Sequence, residues 1–155
     1  MDDSSAIEMM TVPVITQGDM PERKSERAAG FDLWTAKMVE IKPGRVEAIP
    51  TGLRVAIPAG FFGKIEARSG TALKGLVTHA GLIDSDYRGE IKILMQNVTT
   101  APMRVDPQTR IAQLLLLPSI EAEMVQQKML PPTSRGERGF GSTGEKQETA
   151  ESQRK

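Results

Sequence analysis

Between residues 42 and 60 the chain is punctuated three times, by Lys42-Pro43-Gly44, Pro50-Thr51-Gly52 and Pro58-Ala59-Gly60. Proline ends regular structure, and glycine supplies the positive φ that tight turns require. Only short elements fit between such signals: Val46 to Ile49, Leu53 to Ile57 and Phe61 to Ala67, all rich in β-branched or aromatic residues. Strand segments returning about every eight to twelve residues with Pro/Gly turns between them predict an all-β sandwich or barrel. The same reading places strands at Val12 to Ile15, Gly30 to Trp34, Met38 to Ile41 and Glu90 to Val98, and at Glu121 to Met129 in preference to a short helix. Arg110 to Leu117 is almost continuously apolar, which predicts a strand buried on both faces. One short helix, about two turns, is expected within Ser69 to Gly75, with Gly75 as its stop.

At 155 residues the chain has the length of one domain with a real core. Its formal net charge is zero, so no bulk attraction to nucleic acid or to an anionic membrane is expected. With no cysteine there is neither a disulfide nor a thiolate metal site, and a reducing compartment suits that. The acidic start, Met1-Asp2-Asp3-Ser4-Ser5, lacks the features of a signal peptide, and no apolar run is long enough to span a bilayer. A soluble protein of the cytoplasm or nucleus is expected. Residues 1–8 read as a disordered leader, 9–130 as the folded domain, 131–144 as a glycine-rich arm and 145–155 as a disordered tail. Six aromatic residues are too few for an aromatic core, and Tyr87 and Phe140 lie among polar residues and glycines, which suits rings that face a ligand.

Several stretches can carry chemistry. Gly81-Leu82-Ile83-Asp84-Ser85-Asp86-Tyr87-Arg88-Gly89-Glu90-Ile91 reads as a β-hairpin with Asp84 where a strand enters the turn. A carboxylate held there, three residues from a tyrosine, suits a reaction centre; the same pattern also suits a surface turn. Arg68-Ser69-Gly70 stands at a strand end and helix start, where backbone N–H groups, a hydroxyl and a guanidinium can hold phosphate. It equally suits a Ser N-cap beside a surface Arg. Arg135-Gly136-Glu137-Arg138-Gly139-Phe140-Gly141-Ser142-Thr143-Gly144 can close over a ligand, with Arg on phosphate and Phe on a planar ring, or can be a flexible tail. Asp32 in its strand needs a cationic partner if buried, and Gln113 in an apolar strand needs polar partners or a ligand. His79, the only histidine, cannot build a zinc site without cysteines and reads as structural.

In chain order these stretches match five sequence motifs, and the chain resembles the trimeric dUTP nucleotidohydrolase (dUTPase) family. Ala29-Gly30-Phe31-Asp32-Leu33 resembles the first motif, with Phe where Tyr is usual. Arg68-Ser69-Gly70 resembles the second, Gly81 to Glu90 the third, Arg110-Ile111-Ala112-Gln113-Leu114 the fourth, and Arg135 to Gly144 the fifth. The resemblance implies a jelly-roll-like β-barrel subunit in a homotrimer, with active sites at subunit interfaces. It implies hydrolysis of dUTP to dUMP and pyrophosphate, with Mg²⁺ carried by the triphosphate and waters rather than by direct protein ligands.

Residue by residue, the resemblance gives Asp84 the role of activating the attacking water. Tyr87 would pack on the deoxyribose, and the backbone of Gly81, Leu82, Ile83 and Asp84 would read uracil. Arg68, Ser69 and Gly70 would hold the phosphates, assisted by Gln113, and Asp32 would act behind Arg68. Arg135 would reach the γ-phosphate, and Phe140, with Gly141 and Ser142, would close over the base. Thr78 and Lys92 are carried as further substrate contacts, although Thr78 stands where bacterial members often have Asn. Arg138 replaces a usual glycine of the arm. A dCTP deaminase of the same fold is disfavoured because Arg88 stands where that branch has Glu; a non-catalytic nucleotide-sensing or protein-binding trimer is the third reading.

Overall fold

Proline and glycine turns hold most strands to six residues or fewer, as their spacing predicts. The structure, a computed structural model of the single chain, describes residues 9–139. Eleven strands and one helix follow in order: β1 (Val14–Thr16), β2 (Phe31–Trp34), β3 (Val39–Ile41), β4 (Val46–Pro50), β5 (Leu53–Val55), β6 (Phe61–Ala67), α1 (Ser69–Leu73), β7 (Leu76–His79), β8 (Leu82–Ile83), β9 (Lys92–Asn97), β10 (Met103–Val105) and β11 (Arg110–Pro118). The chain divides into two units, Met1–Glu121 and Ala122–Lys155. All the strands belong to the first, and the fold is all-β with one short helix, as expected.

All pairing is antiparallel. The sheets run β1-β5, β10-β3, β2-β11-β6-β8 and β4-β9-β7. Each sends one face into a common aliphatic core, where Leu33, Ile41, Ile49, Ile65, Ile91, Ile93 and Met95 are essentially sealed from solvent. Burial of a large aliphatic side chain is worth about 1.5–3 kcal/mol, so this core holds the small sheets together without aromatic support. Asn97 is also fully buried; its amide donates to Ile41 O (2.9 Å) and Ala101 O (2.7 Å), and its Oδ1 accepts from Thr99 N–H (2.9 Å). This tie fixes the β9–β10 connection to β3.

Three expectations are corrected. The Gly81 to Ile91 stretch is not a hairpin: β8 pairs with β6 through Gly63↔Ile83 and Lys64↔Leu82, whereas β9 lies between β4 and β7. The loop between them therefore turns a corner from one sheet to another. Glu121 to Met129 forms no strand; it is irregular and exposed throughout. In β11 only Ile111, Ala112 and Leu114 are buried, while Gln113 and Leu115 to Leu117 are partly exposed. The sequence also gave no sign of β7 or β10.

Candidate active site

The Asp84 loop is built from local constraints. Ala80 and Gly81 both take positive φ, 52° and 89°, which turns the chain sharply into β8. Only glycine suits the second position, because an added Cβ would lie 3.0 Å from Ile65 O. That close approach carries the Ile65 N–H to Gly81 O bond, 2.9 Å. Because β8 is the edge of its sheet, the main-chain groups of its outer side pair with no strand among the described residues. After β8, Tyr87 N–H donates to Asp84 O (3.1 Å) and Arg88 Nη1 donates to Ser85 O (2.7 Å), closing a tight loop. Asp84 and Asp86 are both exposed on it.

Beside this loop is a cleft of about 340 Å³ lined by Gly81, Leu82, Ile83, Asp84, Tyr87 and Lys92, together with Ala80, Glu90 and Leu94. The Tyr87 ring is 43% exposed, and its hydroxyl donates to Glu90 O at 3.0 Å. Its open face and tethered edge make it a plate rather than a core side chain.

A second cleft, of about 220 Å³, is lined by Arg68, Ser69, Gly70, Thr71, Lys74 and Arg110. Arg68, in extended conformation, occupies the N-cap of α1, without a side-chain cap bond, so Ser69 is the first helical residue and not the cap. Thr71 and Ala72 N–H donate to Arg68 O, both at 2.9 Å, which leaves the Ser69 and Gly70 N–H groups at the helix start to face an anion. Gly75, at φ 89°, stops the helix.

Asp32 organises this cationic cleft from behind. It is 7% exposed, and its Oδ1 lies 3.4 Å from Arg68 Nε while its Oδ2 accepts from Arg110 Nη1 at 3.1 Å. A β-bulge makes the second contact possible. Arg110 pairs with Trp34 and Ala112 with Leu33, so one extra residue is absorbed at Ile111. The shift puts Arg110 and Gln113 on the face that carries Asp32. Gln113 itself packs over Gly30, where an added Cβ would meet its side chain at 3.0 Å.

The predicted residues thus fall into two groups in a single chain, and the two clefts share no lining residue. Thr78 lies on β7 opposite Met95 and Gln113 on β11 opposite Asp32; neither lines a cleft. His79 is exposed, with Nε2 at 2.7 Å from Gln96 Oε1. Arg135 is exposed in the second unit, while Phe140, Gly141 and Ser142 lie outside the described residues. Arg110, Lys74 and Glu90 were not singled out as site residues from the sequence. Only a neighbour on the opposing strand shows that Arg110 reaches Asp32, and strand register is not legible in one sequence. Among the described residues no three His, Asp or Glu side chains gather to hold a metal ion.

Fold and clefts define an all-β protein with one cleft lined by cationic side chains and another lined by a carboxylate and a half-exposed ring. A family model described as dUTPase matches residues 16–144, and the chain belongs to that family. It is 40% identical over 136 residues to a deoxyuridine 5'-triphosphate nucleotidohydrolase of Chlamydia caviae, covering 83% of this chain and 92% of that protein. It is 43% identical over 128 residues to the protein of the same name from Nautilia profundicola, covering 81% and 90%. Among solved structures it is similar to the Staphylococcus bacteriophage 80alpha dUTPase with dUPNHPP, with TM-score 0.82, 29% identity and coverage of 88% of this chain and 99% of that one.

Proposed function

We propose that this chain hydrolyses dUTP to dUMP and pyrophosphate, so lowering dUTP and supplying dUMP. The observation that carries the reading is Asp84: an exposed carboxylate on a hydrogen-bonded loop, at a cleft lined by an edge strand and a half-exposed tyrosine. Asp84 takes a proton from a water as that water attacks the α-phosphorus. The α–β bridging P–O bond breaks, and pyrophosphate leaves with the bonding electrons. The outer edge of β8 offers main-chain donors and acceptors to uracil, and Tyr87 packs on the sugar where a 2′-hydroxyl would have no room. Arg68, Ser69 and Gly70 hold the phosphates, with Gln113 and Thr78 as further contacts and Arg135, Phe140, Gly141 and Ser142 closing the site. Such a reaction depends chiefly on positioning and charge stabilisation.

Among the described residues no carboxylate cluster gathers to hold a metal; the substrate is written as the magnesium complex of dUTP, because Mg²⁺ is commonly bound through substrate phosphates and waters. Division of the site between two clefts supports a homotrimer in which one subunit's phosphate cleft faces another's Asp84 loop. No helix among the described residues is long and apolar enough to cross a membrane. A cytoplasmic or nuclear location belongs to the same proposal, because nucleoside triphosphates are held inside cells.

The test mixes the protein and Mg²⁺ with dUTP, dCTP, dTTP or UTP and measures pyrophosphate and ammonia. Pyrophosphate from dUTP alone is expected. Ammonia from dCTP would replace the reading with deamination, and no turnover would replace it with nucleotide binding. Asp84→Asn should bind dUTP as before and lose about a hundredfold or more in kcat. Turnover surviving that change would remove Asp84 as the base.

A further inference from the structure

The described part of the glycine-rich arm folds into a turn over residues 133–138, and two arginines fasten it. Gly136, at φ 55°, donates its N–H to Thr133 O (3.2 Å) and to Thr133 Oγ1 (3.1 Å), and Arg138 N–H donates to Arg135 O (3.3 Å). These main-chain bonds are long and open to water, so alone they order a short segment weakly. The side chains add to them. Arg138 Nε donates to Arg135 O (3.1 Å) and Arg138 Nη2 to Ser134 O, while Arg135 Nε donates to Arg138 O (2.8 Å). Arg138 thus reaches back across two successive carbonyls, and Ser134 O has no other hydrogen-bond donor among the described residues.

Arg135 spends only its Nε on the turn. Both its Nη groups are without a protein partner among the described residues, and Glu137, between the two arginines, pairs with neither. Two guanidiniums held on one turn without a carboxylate repel each other, and an anion relieves that repulsion.

We propose that Arg138 is a positioning residue: it clamps this turn in the free protein, so that Arg135 meets the terminal phosphate of the nucleotide with its Nη groups already presented. A glycine at this position, usual in the motif that the arm resembles, removes both side-chain bonds and adds backbone freedom. The turn then orders only as the nucleotide binds, and the entropy lost in ordering weakens binding. This rests on the reading of Arg135 as the γ-phosphate contact.

Two measurements on the full-length protein test it, and neither requires turnover. The first needs no nucleotide: NMR order parameters of the Gly136 and Glu137 amides, with β9 as the reference for an intact core. In the wild type they should be near about 0.8, and Arg138→Gly should bring them below about 0.6 while β9 stays unchanged. The second compares the dissociation constant of a non-hydrolysable imido analogue of dUTP with that of dUMP, which has no terminal phosphate. Arg138→Gly should weaken the analogue about threefold to tenfold and leave dUMP within about twofold. Arg138→Lys keeps the charge but loses the fork that reaches two carbonyls, so it should match Arg138→Gly in both measurements. Wild-type order parameters already below about 0.6, or values that Arg138→Gly does not move, overturn the proposal. So does a lysine variant that binds the analogue like the wild type, because charge and not order is then what Arg138 supplies. A loosened turn with unchanged analogue binding upholds the clamp and removes Arg135 from the γ-phosphate.

Discussion

Asp32 serves two guanidiniums with one carboxylate, and each arginine is about one-third exposed while the acid is nearly buried. Removing the acid leaves Arg68 and Arg110 side by side without their shared counter-charge. Solvent screens part of that repulsion, so Asp32→Ala should cost about 1–3 kcal/mol in denaturant unfolding rather than the full penalty of a buried pair. The same change frees Arg68 from its fixed orientation, so KM for dUTP should rise more than kcat falls. An unchanged KM would separate Asp32 from the phosphates. At this scale the sequence was a good guide to residue types: a buried Asp does find an Arg, and a half-exposed tyrosine among glycines does face a cleft. It was a poor guide to partners, since the second arginine reaches Asp32 only through the bulge at Ile111.

The element on which the candidate site depends is β8, two residues long and entered through consecutive positive-φ residues. Gly81→Ala should force either a strained φ or a retreat of the loop from Ile65, at a cost of about 1–3 kcal/mol. Because the retreat also moves the outer edge of β8, KM for dUTP should rise with it. Thermal unfolding and steady-state kinetics on one preparation check both; loss of stability with unchanged KM would mean that uracil is read elsewhere. From the sequence this stretch looked like a hairpin because two apolar runs flank a polar turn. Pairing partners are decided by the whole sheet: β8 pairs with β6, and β9 with β4 and β7, so neither flanking strand pairs with the other. The same limit explains Glu121 to Met129, whose composition suits a strand although no strand among the described residues pairs with it. The strands β7 and β10, of four and three residues, are too short for periodicity to reveal.

For the whole molecule, the separation of the two clefts makes a specific demand on assembly. If a working site joins Arg68 of one subunit to Asp84 of another, two differently disabled chains can repair each other. A trimer of Arg68→Ala chains has three intact Asp84 loops and no intact phosphate cleft; a trimer of Asp84→Asn chains has the reverse. Unfolding the two together in equal amounts and refolding them should give mixed trimers in which about one site in four has both halves intact, because each half is drawn independently. Activity near a quarter of the wild-type value, from two parents that are each nearly inactive, is the expected result. A site made within one chain gives no recovery at any mixing ratio, since every site would then carry one lesion. Varying the ratio sharpens the test: recovered activity should follow the product of the two fractions and peak at equal mixing, a dependence that contamination by active protein cannot produce.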